Sequence, residues 1–122
     1  MIELLKGFPE NVVAASCSGH VTKGDYDRVL IPAVESALKA HGKLRLFYRI
    51  GPEFELIDPG AVLEDAKVGF AHLSHWERVA VVTDIGWIRG AVRAFAFLIP
   101  GRVKFFNLSE ADTARRWIAE ST

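Results

Sequence analysis

The sequence predicts an α/β domain with a mixed, mainly parallel five-stranded sheet and about four helices. Two β-rich runs, Ile2 to Leu5 and Val12 to Val21, flank a turn-like segment and predict an antiparallel pair. Helical periodicity then alternates with three apolar runs, at Lys43 to Ile50, Arg78 to Thr83 and Val103 to Phe106. Because crossovers through helices are right-handed, the later strands are expected to be mainly parallel and covered by helices.

Composition limits the function classes. The 122 residues, 50% of them hydrophobic, suffice for one domain with its own core, spanning residues 1–122. Lys plus Arg equals Asp plus Glu at 15 each, so no global field favours nucleic acid as a partner. The single cysteine, Cys17, has no disulfide partner, and the chain lacks a signal-peptide pattern or a run of about 20 apolar residues. We therefore expect a cytoplasmic location and no cofactor.

The first long helix is predicted to begin near Gly24, with Thr22 and Asp25 as its cap. Pro32 lies inside it and is expected to bend it, and Gly42 is expected to stop it after His41. Its inward face is predicted from residues three and four apart: Tyr26, Val29, Leu30, Ala33, Val34, Ala37 and Leu38.

Three further assignments follow along the chain. The strand Lys43 to Ile50 is predicted to be central, and Gly51 to Gly60 is predicted to be a loop. Asp58-Pro59 then predicts the start of a helix. Ser109 to Asp112 resembles a capping box for the last helix, whose buried stripe is predicted to be Ala111, Ala114, Trp117 and Ile118. The strand at Val103 to Phe106 alternates with basic residues, as an edge strand does.

The segment Gly86 to Ile99 is predicted to be helical to about Leu98, and its apolar residues do not keep to one stripe. One interpretation is a helix end that packs under a loop or against a dimer partner. The other is an interfacial helix whose basic residues contact lipid headgroups at a membrane surface. The contact residues in either case are Arg89, Arg93, Phe95, Phe97, Leu98 and Ile99.

Aromatic residues suggest a ligand pocket beyond the carboxyl ends of the parallel strands, although ordinary core packing explains most aromatics. The candidate lining is Phe47, Tyr48, Phe54, Leu56, Trp76, Asp84 and Trp87. Phe54, Leu56, Asp84 and Trp87 are expected to share one mouth. Asp84 could serve as a general base, but a helix N-cap before Gly86 explains it better.

Other reactive residues give weak signals. His72 and His75 are three apart but lack a third metal ligand, so capping of a helix C-terminus is the better interpretation. Ser16, Cys17, Ser18 and His20 lie along one strand without a nucleophile elbow, so no catalytic residue is predicted.

The chain resembles the SpoIIAA-like family, small bacterial proteins grouped with STAS domains and compared with the lipid-binding lobe of CRAL-TRIO proteins. The resemblance covers nearly the whole chain and involves the following segments: Gly19 to Tyr26, Leu30 to Pro32, Leu63 to Gly69, Glu77 to Asp84, Trp87, Val103 to Phe106, Ala114 and Trp117. It implies a non-enzymatic domain that binds a lipophilic ligand and contacts membranes. The stretch Ile57 to Val62 lacks the hydroxyl that phosphorylated STAS antagonists carry, which argues against such a switch there.

Two hypotheses follow. The first is a module that binds a small lipophilic molecule, peripheral to the inner face of a membrane. The second is a STAS-like protein-interaction module that acts as a homodimer or with a protein partner.

Overall fold

The computed structural model describes residues 1–57, 75–96 and 101–120, and a five-stranded sheet lies at its centre. The strands lie side by side in chain order: β1 (Ile2–Leu4), β2 (Val12–Val21), β3 (Leu44–Ile57), β4 (Trp76–Thr83) and β5 (Arg102–Phe106). β1 is antiparallel to β2, and every later neighbour is parallel. The mixed, mainly parallel sheet is therefore confirmed, with β3 central and β5 at an edge of the described sheet.

Helices connect the strands. α1 (Lys23–Asp25), a π-helical turn (Tyr26–Leu30) and α2 (Ile31–Ala40) follow one another directly between β2 and β3. α3 (Gly86–Ala96) connects β4 to β5, and a 3₁₀ turn (Leu108–Glu110) leads into α4 (Ala111–Ala119). The helix predicted to start at Asp58 lies outside the described residues, so the described part of the chain has three helical regions where about four were predicted.

The predicted cap and end of the first helix are confirmed. Thr22 Oγ1 accepts a hydrogen bond from Asp25 N at 3.1 Å, and Asp25 Oδ2 accepts one from Thr22 N at 2.9 Å. Pro32 has no N–H to donate to the preceding turn, and that turn widens: Ile31 N donates to Tyr26 O, five residues back. His41 N donates to Ala37 O and closes the helix, one residue before Gly42.

The prediction of a loop from Gly51 is wrong for residues 51–57, because β3 continues through them. β2 is ten residues long, so its carboxyl-terminal half extends beyond Cys17. β3 pairs with this half, from the pair Gly19↔Phe54 to the pair Val21↔Ile57. From the pair Cys17↔Ile50 to the pair Gly19↔Phe54 the ladder advances two residues on β2 and four on β3. Pro52 lies in this irregularity, where its missing N–H costs no regular ladder bond. Gly19 has φ +58, which its lack of a Cβ permits.

The two faces of the sheet carry separate cores. The first face packs against the π-helical turn, α2 and α3, and its buried side chains include Val13, Cys17, Tyr26, Leu30, Val34, Val79, Val81 and Ile88. The second face packs against α4, and its buried side chains include Val12, Ala14, Phe47, Ala80, Val82, Phe106, Ala114, Trp117 and Ile118. The predicted stripe of the last helix is confirmed for its three buried members.

The last helical region begins earlier than predicted. Its N-cap is Asn107, and Glu110 completes the capping box by accepting a hydrogen bond from Asn107 N at 2.8 Å. The prediction of a cap at Ser109 with Asp112 is therefore wrong by two residues. The 3₁₀ turn at Leu108 to Glu110 accounts for the shift, because it places a tighter turn before α4.

Candidate functional site

Phe54 and Trp87 come together at the carboxyl end of the parallel strands. Phe54 lies in the far half of β3, and Trp87 lies in the first turn of α3, directly beyond β4. Their ring centroids are 6.3 Å apart with a 45° angle between the planes, a tilted aromatic contact. Phe54 also packs against the first core, whereas Trp87 stays 60% exposed. The contact therefore leaves most of the indole at the surface.

Polar bonds beneath Trp87 fix the start of α3. Thr83, the last residue of β4, is fully buried, and its hydroxyl accepts a hydrogen bond from Ile85 N at 3.2 Å. Arg89 Nε donates to Thr83 O at 3.1 Å, and Arg89 Nη2 donates to Asn107 Oδ1 at 2.9 Å. Arg89 thus connects α3 to the end of β4 and to the cap of the last helical region.

The prediction that Asp84 caps the start of α3 is wrong. Its Oδ1 accepts a hydrogen bond from Leu108 N at 3.0 Å, in the first turn of the 3₁₀ helix. The carboxylate therefore satisfies a donor at the start of the last helical region, where negative charge is favourable. Sequence distance concealed this partner, since 24 residues separate the two groups.

The outer side of α3 is nearly bare next to Trp87. Ile88 is buried and Val92 packs against the first core, so these residues define the inner side of the helix. Gly86 and Gly90 lie one turn apart, and a Cβ built on either meets no heavy atom within 4 Å. A projecting indole thus lies beside a shallow strip without side chains.

Tyr48 lies on the same face of the sheet as Phe54, but its hydroxyl is bonded within the protein. It lies 2.7 Å from the Tyr26 hydroxyl and accepts a hydrogen bond from Cys17 Sγ at 3.1 Å. These three polar groups lie inside the first core, and their mutual bonds offset the cost of burying them. The phenol group contributes to the core here.

Other predicted pocket residues lie elsewhere. Phe47 belongs to the second face, where its ring lies 4.8 Å from that of Phe8. Trp76 is buried at the amino end of β4, beside Leu44, at the opposite end of the sheet from Trp87. The structure describes the backbone of Leu56, which pairs with His20, and not its side chain. The predicted aromatic lining is thus divided between two faces and two ends.

The predicted contact set of α3 is described only in part. Arg93 is exposed, and its guanidinium lies 5.1 Å from the centroid of the Phe105 ring. Phe95 belongs to α3, but its side chain lies outside the description, as do residues 97–100 and hence Phe97, Leu98 and Ile99. Arg89 donates hydrogen bonds to Thr83 and Asn107, whereas Arg93 lies beside an aromatic ring, so the two basic residues differ in their surroundings.

A groove of about 330 Å³ lies away from the Phe54–Trp87 contact, between α2 and the β1–β2 pair. Its walls include Leu4, Val13, Ala33 and Ala37, and His41 lies at the same end. This is the amino end of β2, opposite to the end where the sequence analysis placed a ligand.

The described ranges contain no group of three or more His, Cys, Asp or Glu residues that could bind a metal ion. His75 Nδ1 lies 2.9 Å from Gly42 O and so bonds to the segment before β3. His72 lies outside the described residues. Of the helices in these ranges, none has the length and apolar character needed to cross a bilayer.

Sequence reasoning missed two buried arginines on the second face. Arg45 and Arg78 are paired in register on β3 and β4, and they are 6% and 3% exposed. Arg45 donates to the carbonyls of Ile118 at 2.9 Å and of Glu120, and Arg78 donates to Trp117 O at 2.6 Å. Their positions on strands gave no signal, because the carbonyls that they bind come from the distant end of α4.

Comparisons with known proteins agree with this architecture. Residues 12–119 match the family model described as SpoIIAA-like. The crystal structure of an uncharacterized protein with a SpoIIAA-like fold from Shewanella loihica PV-4 is similar, with a TM-score of 0.68 and 25% identity over 97% of this chain and 92% of that chain. No curated protein matches the chain at a significant level. The fold supports a regulatory or interaction module, and the chain belongs to the SpoIIAA-like family.

Proposed function

We propose that the chain is a protein-interaction module that pairs with a second copy of itself through the outer side of α3. The observation that carries this proposal is the 60% exposure of Trp87, a large apolar side chain on a well-anchored helix start. Tryptophan and arginine are the side chains most often responsible for binding energy in protein interfaces. Burial of the exposed part of one indole is worth on the order of 2 kcal/mol per copy.

The shape of this side favours a second copy as the partner. Gly86 and Gly90 leave open space beside the projecting ring. In a two-fold arrangement, the ring of each copy can lie on the bare strip of the other, which makes the surface self-complementary. A glycine inside a helix lowers helix stability by about 1 kcal/mol relative to alanine, so Gly90 does not serve the stability of α3 itself.

The anchoring of α3 supports the same role. Arg89 is bonded to Thr83 and Asn107, and Ile88 is buried, so the helix start is held by both polar and apolar contacts. A rigid anchor loses little conformational entropy on binding, which raises affinity.

A lipophilic ligand at the Phe54–Trp87 contact is the second candidate. The two rings do meet at the predicted mouth, at 6.3 Å. Three other described members of the predicted pocket do not line this mouth: Phe47 lies on the opposite face, Trp76 lies at the opposite end, and the Tyr48 hydroxyl is bonded to Tyr26. Asp84 lies at the same end, but its carboxylate accepts a hydrogen bond from Leu108 N. Peripheral binding to a membrane remains a prediction from the sequence.

The test is sedimentation velocity from micromolar to millimolar protein, with the parent compared with Trp87→Ala and Gly90→Leu. We expect the parent to dimerise with rising concentration, and both variants to weaken dimerisation at least tenfold. Gly90→Ala keeps the strip shallow and improves helix propensity, so it serves as the matched control and should still dimerise. Leu4→Ala removes another exposed apolar side chain, at 48% exposure, and should leave the dimer unchanged.

Two outcomes would contradict the proposal. If the parent stays monomeric up to millimolar concentration, a second copy does not bind to this surface. If the Trp87→Ala variant dimerises like the parent, the interface lies elsewhere. Native mass spectrometry followed by organic extraction separates the second candidate. A monomer carrying an adduct of lipid-like mass that Trp87→Ala loses would support the ligand instead.

A further inference from the structure

β5 and the helix beside it carry cations that have no carboxylate beside them among the described residues. β5 is the last strand of the sheet in the described ranges, and β4 pairs with one of its edges only. Arg102 and Lys104 are exposed and point to the second face, and Phe105 points to the first. Arg93, from α3, lies over the Phe105 ring. The edge therefore has positive charge on both faces.

Aromatic rings lie beside two of these cations. The guanidinium of Arg93 lies 5.1 Å from the Phe105 centroid, and Lys104 Nζ lies 5.2 Å from the Trp117 centroid. Among the described residues, no carboxylate oxygen lies within 4 Å of Arg93, Arg102 or Lys104. The cations are thus positioned without being neutralised.

Open strand edges bind extended segments by adding a strand, with backbone hydrogen bonds for affinity and alternate side chains for specificity. Residues i and i+2 of an added strand would lie on the face of Arg102 and Lys104, and residue i+1 would lie on the face of Arg93. Carboxylates at such positions would meet a cation each, and charge-assisted pairs of this kind are the stronger hydrogen bonds.

We infer that the β5 edge binds an extended acidic segment of a protein partner, which adds a strand beside β5. A second copy of this chain fits poorly, because two-fold pairing of the β5 edges would bring the exposed Arg102 and Lys104 of both copies onto one face of a continuous sheet, and like charges close together destabilise a sheet. Charged residues on an edge also protect against aggregation, and that role alone would need no particular partner. The inference rests on the β5 edge and shares only Arg93 with α3, so it needs neither Trp87 nor the pairing of two copies proposed above.

The probe is a blocked eight-residue peptide of alternating Val and Glu, titrated at low salt while the amide shifts of residues 102–106 and the indole N–H shift of Trp117 are recorded. Two control peptides separate the contribution of charge from that of backbone hydrogen bonds. One has Lys in place of Glu, and the other keeps Glu but carries N-methyl groups that remove backbone donors on one edge. We expect the first control not to bind, and the second to lose at least tenfold in affinity.

Matched variants complete the test. Arg102→Glu with Lys104→Glu should abolish binding of the acidic peptide and create binding of the Lys peptide. Both residues are exposed, so the thermal transition should stay close to that of the parent, which confirms folding. The inference is overturned if the N-methylated peptide binds as well as its parent, or if the double variant keeps its affinity for Glu. It is equally overturned if anionic vesicles or RNA shift the β5 amides at lower concentration than the peptide.

Discussion

Arg45, Arg78 and Arg102 form one row across three neighbouring strands, yet the first two are buried and the third is exposed. The difference lies in what covers them. The end of α4 lies over β3 and β4, where its last carbonyls accept hydrogen bonds from Arg45 and Arg78. Among the described residues, no helix carbonyl accepts a hydrogen bond from the Arg102 side chain. The same residue type in the same register thus bonds to the end of α4 at two positions and is exposed to solvent at the third.

The buried pair shows how a cation can be accommodated in a core. Carbonyls at the end of a helix lack partners within the helix, and the macrodipole favours positive charge there. Glu77 accepts a hydrogen bond from Arg45 Nε at 2.6 Å, and Glu120 accepts one from Arg78 at 3.2 Å, which adds compensating charge. In the described part of the chain, no buried side-chain nitrogen or oxygen atom lacks a hydrogen-bond partner.

The largest expected effect comes from Arg78→Met, which keeps the volume of the side chain but removes its hydrogen bonds to the end of α4. We expect a loss of about 3 kcal/mol in the free energy of unfolding, because Trp117 O loses a charged partner in a buried site. Urea denaturation followed by tryptophan fluorescence measures it. Arg102→Met in the same row is the control and should change stability by less than about 0.5 kcal/mol. Equal losses for the two variants would remove the contrast drawn above.

The second effect tests buried polar groups on the other face. Tyr48→Phe removes the hydroxyl that lies between Cys17 Sγ and the Tyr26 hydroxyl, and it leaves both groups with fewer bonds in a buried site. We expect a loss of about 1.5 kcal/mol. A double-mutant cycle with Tyr26→Phe isolates the bond between the two phenols. A coupling energy near zero in that cycle would mean that the hydroxyls contribute independently.

Local patterns predicted much of the fold, and distant partners account for the errors. The capping box at Thr22 and the alternation in β5 depend on residues within a few positions, and both were predicted correctly. Arg45 and Arg78 escaped notice because their partners lie near the end of the chain, where only the folded structure brings them close. Gly51 to Ile57 has a loop composition, and pairing with the long β2 overrides it.

The candidate site shows the same limit. Phe54 and Trp87 were expected together and do meet, because the far half of β3 and the start of α3 lie at the same carboxyl end of neighbouring parallel strands. Phe47 and Tyr48 were placed in one pocket, yet they are consecutive in a strand, so their side chains point to opposite faces. Trp76 begins the strand that Trp87 follows, and strand length alone separates them.

A third, smaller effect concerns a carboxylate, and it depends on pH. The hydrogen bond from the Thr22 backbone lowers the pKa of Asp25 from its ordinary value of 3.8. The folded state therefore favours the charged form, so the stabilisation is complete above the unfolded pKa and is lost as pH falls through the lower folded pKa. Asp25→Asn should cost about 1 kcal/mol at pH 7. The difference from the parent should shrink steadily below pH 4 in urea denaturation.

Glu53 is the matched control for this prediction. Its own backbone N–H and the Arg49 guanidinium lower its pKa as well, but the carboxylate is exposed to solvent. Solvent screening leaves such a pair with little effect on stability. Glu53→Gln should therefore leave the denaturation curve unchanged at both pH values. A loss like that of Asp25→Asn would show that a lowered pKa alone, without burial, reports stability in this protein.

The smallest effect returns to the second face, where two cations contact the ring of Trp117. Arg78 lies 5.1 Å from its centroid and is buried, whereas Lys104 lies 5.2 Å away and is exposed. Lys104→Gln should cost only about 0.5 kcal/mol, since water screens an exposed cation beside a ring. Urea denaturation with Arg102→Gln as the control measures this, because that change removes a neighbouring charge without touching the ring. If Lys104→Gln instead costs as much as Arg78→Met, the ring contact stabilises this face, and the bonds to the end of α4 contribute little.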